Sequence, residues 1–451
     1  MYRALAAKLR LPVPSPSEVG TALRENGWWL AFLAVLVLVG VELTVKLPPI
    51  MRAAALSTAE RGVFADYLSA SLLAAALGAL ILVAPIEEND KGRLLFLWAV
   101  KAAVTLFFLP VYEAHYATLD ARAYFATGAL GIHGLPPLSF GGGTSVTPWL
   151  IHWATLLLPA YFHLLEMLWS FVGVAAIYAF YRGWRWLAPG LDSRFLLWIG
   201  LFPSILFWSS ILGKDPPVLL GIGLYFYAVA RWSTTREMRL LVLAAVGVLL
   251  ASAIRPWLAI ILAAPMVAFP LTGRELRGWQ KLALLVAVVV GIYFAGDVFI
   301  AKFQISSAED LVQTSNAISH SWASGGSAVQ FAQFHSPVGL IKFLPLGMVT
   351  ALFRPLPWDA GNVFGLLAAA VNVVLLGMLV RAISRTPLRA LRNARLLWVV
   401  LLIAVWAAMY AFPSSQNLGT AVRFQLQILP VLWPLLLIFG SRISRLWGRI
   451  A

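Results

Sequence analysis

The chain has no cysteine in its 451 residues. That rules out disulfides and thiolate metal sites, but it does not identify a compartment. Charge is scarce as well, at 12% of residues, while 61% are hydrophobic. With a mean hydropathy of +0.84, this is far more apolar surface than a soluble core can hide. No internal repeat and no low-complexity tract is present, and no polar stretch is long enough for an ordinary soluble domain. Acidic residues are few, 19 against 34 basic, for a net charge of +15. In a soluble protein such an excess would suggest nucleic acid. Here it lies in short loops between apolar runs, so a soluble nucleic-acid binder is excluded.

What is present is a succession of apolar runs. They fall near 28–47, 66–84, 94–111, 163–181, 194–212, 216–231, 239–254, 256–272, 281–300, 360–380, 395–412 and 424–441. The expected fold is an all-α polytopic membrane protein of about 12 transmembrane helices, within a range of roughly 10–14. The whole chain, 1–451, is expected to be one transmembrane domain. A basic N-terminus (Arg3, Lys8, Arg10) precedes the first run, which is long for a cleaved signal and reads as a membrane anchor.

With the N-terminus in the cytoplasm, 23 of the Lys and Arg residues fall on the cytoplasmic side and 10 on the outer side, with Lys101 inside a span. That asymmetry sets the orientation. Two large outer loops follow, 112–162 and 301–359. Residues 338–353 are apolar enough to span, but a span there would push the five arginines between Arg381 and Arg395 outward. This segment, with Lys342 and Pro345, therefore reads as an interfacial or re-entrant helix. The segment 148–160, between Pro148 and Pro159, reads the same way. Gly141-Gly142-Gly143 lacks the strand and helix context of a nucleotide loop and is given no phosphate-binding role.

The outer face then gathers the candidate chemistry. Asp120 opens Asp-Ala-Arg-Ala-Tyr124, and Asp215 lies in Gly-Lys214-Asp-Pro-Pro at the mouth of a span. Two carboxylates from different spans suit either a shared divalent cation (Mg or Mn) or deprotonation of an acceptor hydroxyl. Both also suit helix capping. Arg255, Arg354 and Arg423 face outward against the positive-inside bias. A lipid-linked phosphate would give them a reason, with snorkelling to headgroups as the alternative. Lys214 joins this phosphate-binding set, and Tyr124 and Trp358 are assigned to the substrate, with Trp149 and Trp322 as further stacking candidates. His115, His133, His152 and His163 show no metal spacing and read as hydrogen-bonded interfacial histidines. Glu42, Lys101 and Glu166 lie inside expected spans and read as structurally paired.

At these residues the chain resembles the GT-C superfamily of integral membrane glycosyltransferases. The resemblance rests on Asp120 to Tyr124, on Phe202-Pro203 to Trp208-Ser209 followed by Lys214-Asp215, on Arg255-Pro256, on Pro355 to Trp358, and on Gly419 to Arg423 followed by Pro430. Each motif is short, and their order along roughly 94–441 carries the likeness. The resemblance implies a polyprenyl-phosphate-linked sugar donor, an active site on the periplasmic or extracellular side of the cytoplasmic membrane, and a catalytic acid in the first outer loop. It implies a divalent metal in some members. The family's key acid usually follows the first span, whereas Asp120 follows the third, so Asp66 stands as the alternative.

The expected activity is transfer of a sugar from that donor to a lipid-linked glycan, a lipid or a protein. A polysaccharide polymerase or ligase using lipid-pyrophosphate glycans is the second reading. A lipid-glycan flippase is the third, and it predicts repeat symmetry and charges through the bilayer.

Overall fold

The computed structural model describes residues 62–115, 120–131, 134–273, 276–303, 305–322, 333–360 and 363–440. Among these the protein is helical and contains no sheet. The expected span 28–47, with Glu42, lies outside the described residues, as does His133.

Helix α1 (Val63–Val83) is followed by α2 (Glu88–Ala103), which runs through a π-turn at Val104–Phe108 into α3 (Leu109–His115). A short α4 (Asp120–Gly128) and α5 (Gly143–Thr155) precede the long α6 (Phe162–Leu187). Next come the fragments α7 (Phe195–Gly200) and α8 (Pro203–Trp208), then α9 (Asp215–Thr235) and α10 (Arg239–Ile254). The run after Arg255 is divided into α11 (Leu258–Ala263), a 3-10 turn at Ala264–Val267 and α12 (Ala268–Thr272). Helices α13 (Gly278–Phe303), α14 (Ala308–Trp322), α15 (Pro337–Phe353), α16 (Val363–Arg385) and α17 (Ala394–Gln416) follow. The last two are α18 (Leu418–Gln425) and α19 (Leu429–Gly440).

Six helices among the described residues are long and apolar enough to cross a membrane, or seven if the bent pair α18–α19 counts as one span. This is consistent with a multi-spanning membrane protein, and it corrects the expected count of about twelve and the GT-C-like topology that went with it. The six are Val63–Val83, Glu88–Glu113, Phe162–Leu187, Gly278–Ala301, Gly365–Arg385 and Ala394–Ser415. The missing spans have physical causes. The run 194–212 is broken at Phe202-Pro203, where proline opens a new helix. The run 256–272 is divided at Pro265, and α10 has only 16 residues. The run 424–441 bends by 71° between α18 and α19. Helix α9 is long, but Asp215-Pro-Pro at one end and Arg231-Trp-Ser-Thr-Thr at the other dilute it. Its apolar residues belong to the protein core: Val218, Leu219, Phe226, Ala228, Val229 and Ala230 are fully buried. Segment 338–353 lies within α15, a 17-residue helix containing Pro345 and shorter than the six spans.

Helix α9 is the axis of the core, packed between α6 and α10 and reaching α17 through the stacked rings of Phe226 and Trp398. Its contact with α10 is a backbone contact. A Cβ at Gly221 would lie 2.7 Å from the Gly247 carbonyl oxygen, and one at Gly247 2.6 Å from that of Gly221. Small residues of this kind are how helices approach closely where lipid removes the hydrophobic drive. Helix α13, by contrast, buries little of itself, with Leu282, Val289, Tyr293 and Phe294 exposed to meet lipid.

Substitution of Gly247 by valine is expected to push α10 off α9 and to destabilise by about 1–3 kcal/mol, the usual range for overpacking. Gly377→Val has nothing within 4 Å of the added Cβ and is expected to leave the melting midpoint in detergent unchanged. Equal midpoints for the two variants would refute the close crossing.

Candidate functional site

Four of the chain segments that converge on one cavity do so where the local sequence starts or stops a helix. Pro256 disfavours helical backbone at Arg255, which stands extended as the C-cap of α10. Asp215 opens α9 with prolines in the first turn, where their missing N–H groups cost nothing. Asn417 caps α18, its side chain accepting from the Thr420 amide at 3.1 Å. Asp120 begins α4.

The centre of the site is the Asp215 carboxylate, 2% exposed. Its Oδ1 accepts from Arg255 Nη2 at 3.1 Å and its Oδ2 from Arg423 Nε at 2.6 Å. Arg423 also donates from Nη1 to Asp120 Oδ2 at 3.0 Å. Arg255 is held further by the Tyr410 hydroxyl at 3.4 Å and by the Phe424 ring, 4.6 Å from its guanidinium carbon. Trp257 donates to the same Tyr410 oxygen at 2.7 Å. Arg423 lies 5.7 Å from the Trp208 ring centre.

A cavity of about 430 Å³ opens over this cluster. Lys214, Arg255 and Arg423 line it together with Asp120, Thr420, Asn417, Phe424 and Trp257. Burial, and then the neighbouring Arg255 guanidinium, push the Lys214 ammonium down to about 8. The Lys214 nitrogen lies 5.3 Å from the Tyr124 ring centre. Burial and the nearby Asp120 charge raise the Tyr124 phenol, so it stays a neutral surface beside the cation.

The run Gly141, Gly142, Gly143 and Thr144 also lines the cavity. These glycines lack the sequence context of a nucleotide loop, yet they border the cations of the cavity. Gly141 has a φ of +74°, and a Cβ there would lie 2.8 Å from Pro256. At Gly143 a Cβ would lie 2.8 Å from the Ile254 carbonyl oxygen. The glycines therefore let the start of α5 lie directly against the Arg255 corner. The N-terminal dipole of α5 adds partial positive charge there. A glycine run followed by Thr-Ser-Val-Thr-Pro was the available signal for a helix start.

The structure thus brings together Asp120, Asp215, Lys214, Arg255, Arg423 and Tyr124, but not Arg354 and Trp358. Arg354 makes a bidentate pair with Asp359, at 2.9 and 2.6 Å, and that hydrogen bond holds the Asp359 carboxyl below its usual range. Trp358 is 79% exposed, and neither residue lines the cavity. Asp66 is also elsewhere, bound to His163. Asp120 and Asp215 already share a guanidinium. Among the described residues no group of three or more His, Asp or Glu side chains converges as a metal site. No family model matches this chain, and searches of curated proteins and of solved structures find no match either.

Two outcomes follow from the geometry. Removing the charge of Asp215 leaves two guanidiniums facing each other in a buried place, so Asp215→Asn is expected to cost about 3–5 kcal/mol. Asp120, with its side chain 56% exposed, is expected to cost less than about 1 kcal/mol as Asn. Denaturant unfolding in detergent measures both, and equal losses would unseat Asp215 as the anchor. The second outcome concerns pH. Lys214 is charged below about 8 and neutral above it, so binding of inorganic pyrophosphate should weaken as pH rises through 8. Calorimetry below and above pH 8 checks this, and Lys214→Arg should flatten the dependence because guanidinium stays charged.

Proposed function

We propose that this cavity is the active site of a membrane transferase that takes a sugar from a polyprenyl-phosphate-linked donor. The observation that carries the reading is the convergence of Lys214, Arg255 and Arg423 on one cavity beside a partly exposed carboxylate, Asp120. Three cations against two carboxylates leave the site one positive charge in excess. A phosphate group answers both that excess and the α5 N-terminus. The sugar is suggested by the resemblance of the short motifs, and the lipid carrier by the spans around the site.

In this reading Asp215 does not react. Both of its oxygens are engaged by arginine, and its work is to hold Arg255 and Arg423 in fixed directions. Asp120 is the exposed acid and takes the acceptor's proton. The acceptor oxygen bonds to the sugar's anomeric carbon as the carbon–oxygen bond to phosphate breaks. The electron pair leaves with the phosphate oxygen, where Lys214, Arg255 and Arg423 stabilise it. The products are the glycosylated acceptor and free polyprenyl phosphate, and Asp120 returns its proton to water. The acceptor, whether lipid-linked glycan, lipid or protein, approaches from the Asp120 side, and the reaction belongs to the non-cytoplasmic face.

The test uses the purified chain in lipid nanodiscs with a short-chain polyprenyl-phosphate sugar and an acceptor lipid extract. Asp120→Asn is expected to lower turnover by about 100-fold or more, the ordinary contribution of a general base, with donor binding retained. Arg423→Lys is expected to weaken donor binding about ten- to a hundredfold, because an ammonium cannot bond Asp215 and Asp120 in the guanidinium's fixed directions and still present a donor to the phosphate. Undiminished turnover in Asp120→Asn, or unchanged donor dependence in Arg423→Lys, would overturn the proposal.

A further inference from the structure

A second polar cluster lies on α6, outside the cavity. His163, Glu166 and Ser170 are three and four residues apart, so they share one face of the helix. All three are buried, at 4%, 0% and 0% exposure. Their polar atoms nevertheless lack partners: His163 Nε2, both Glu166 carboxylate oxygens and Ser170 Oγ make no hydrogen bond. The backbone of Leu212 lies beside Glu166.

The surroundings fix what the face lacks. From α1, Asp66 accepts from the His163 and Leu164 amides at 3.1 and 3.0 Å, and its Oδ2 lies 2.8 Å from His163 Nδ1. An Nδ1–H bonded to that carboxylate leaves Nε2 as an acceptor. The Tyr67 ring is centred 4.4 Å from the imidazole. From α3 comes Glu113, and from α4 comes Arg122, whose Nε lies 3.4 Å from Glu113 Oε2 and whose guanidinium stacks on Phe162 at 3.9 Å. One turn along α6 from Ser170, a Cβ at Gly173 would overlap the Ser209 carbonyl oxygen. Ser209 and Ser210 there each receive the Lys101 ammonium of α2, at 2.7 Å. Among the described residues, α9 and α19 place no titratable side chain in hydrogen bond with these atoms.

The α6 face therefore holds three acceptor atoms, and Ser170 is its one side-chain donor. Buried polar atoms left bare cost roughly 1–3 kcal/mol each, and a bare buried carboxylate costs more. Metal coordination does not answer the need, since no three-ligand group is assembled among the described residues. Donors of another kind do: ordered water takes two to four partners in such places, and a proton removes the charge. We propose that the His163–Glu166–Ser170 face binds ordered water and one exchangeable proton, as a site separate from the cavity over Asp215. The proton passes between the Glu166 carboxyl and His163 Nε2 through the bound water, with Asp66 holding the imidazole in position.

Infrared spectroscopy of the protein in lipid nanodiscs tests this without donor or acceptor lipid, so its outcome is independent of the transferase reading. The native protein is expected to show a carboxylic-acid C=O band that shifts within minutes in D₂O and is absent from Glu166→Gln. Superimposable spectra of native and Glu166→Gln protein would overturn the proposal. A band that stays unshifted in D₂O for hours would also overturn it, since that describes a dry, static acid. Should Glu166→Gln fail to fold, Ser170→Ala is the second variant. Loss of the one side-chain donor is expected to move the band, and an unmoved band counts against bound water.

Discussion

The rest of the site depends on one carboxylate being shared by two guanidiniums. Asp215 stands where α9 begins, Arg255 where α10 ends, and Arg423 on α18, so their two hydrogen bonds join three helix ends. Each partner suits its helix terminus: the acid is at the positive end of α9 and Arg255 at the negative end of α10. Desolvating such ions is expensive, and a buried ion pair is weak evidence of stability by itself. What the cluster provides is direction. Arg255 is held by Asp215, Tyr410 and the Phe424 ring, so its charge is already aimed before any ligand arrives. Prior orientation of this sort is the main way an electrostatic site gains strength.

Hydropathy revealed the long unbroken helices, exposed α13 and largely buried α6 alike, and misled about α9 and the broken runs. Helix α13 is both apolar and exposed, and it reads as a span by either criterion. Helix α9 is apolar because α6, α10 and α17 surround it, a circumstance its composition shares with a membrane span. The broken runs failed for another reason. A window average passes over Pro203 or Pro265 without registering that the helix stops there. Continuity, more than apolarity, was the missing quantity.

The site was more legible than the topology, because charge at the end of an apolar run is a local signal. Asp215, Arg255 and Arg423 could each be recognised from a neighbouring proline or helix start, although they are far apart in sequence. Arg354 carried the same signal and went elsewhere. Its partner Asp359 is five residues away across Pro355 and Pro357, a spacing the sequence displayed. The buried ionisable groups divide similarly. Lys101 is satisfied by Ser209 and Ser210, as expected of an ionisable group within a span, whereas the Glu166 carboxylate makes no hydrogen bond. Nothing in the sequence separates these cases, since the partners of Lys101 come from a turn more than a hundred residues later.

Helix α4 is the element common to both polar regions. It has only nine residues, yet Asp120 borders the cavity while Arg122, two residues on, meets Glu113 beside the buried face of α6. Residues two apart on a helix lie on different sides, so one short rigid piece presents an anion to one region and a cation to the other. Ala121, Tyr124 and Phe125 bury its remaining face against Ile151, Phe162 and Trp169. Phe162 opens α6 immediately before His163, and Trp169 donates to the carbonyl of Gly213, next to Lys214. The packing that seats α4 therefore also fixes the start of α6 and the turn carrying Lys214. The positions of Asp120 and Lys214 on the cavity rim are set by the same aromatic contacts that enclose the second cluster.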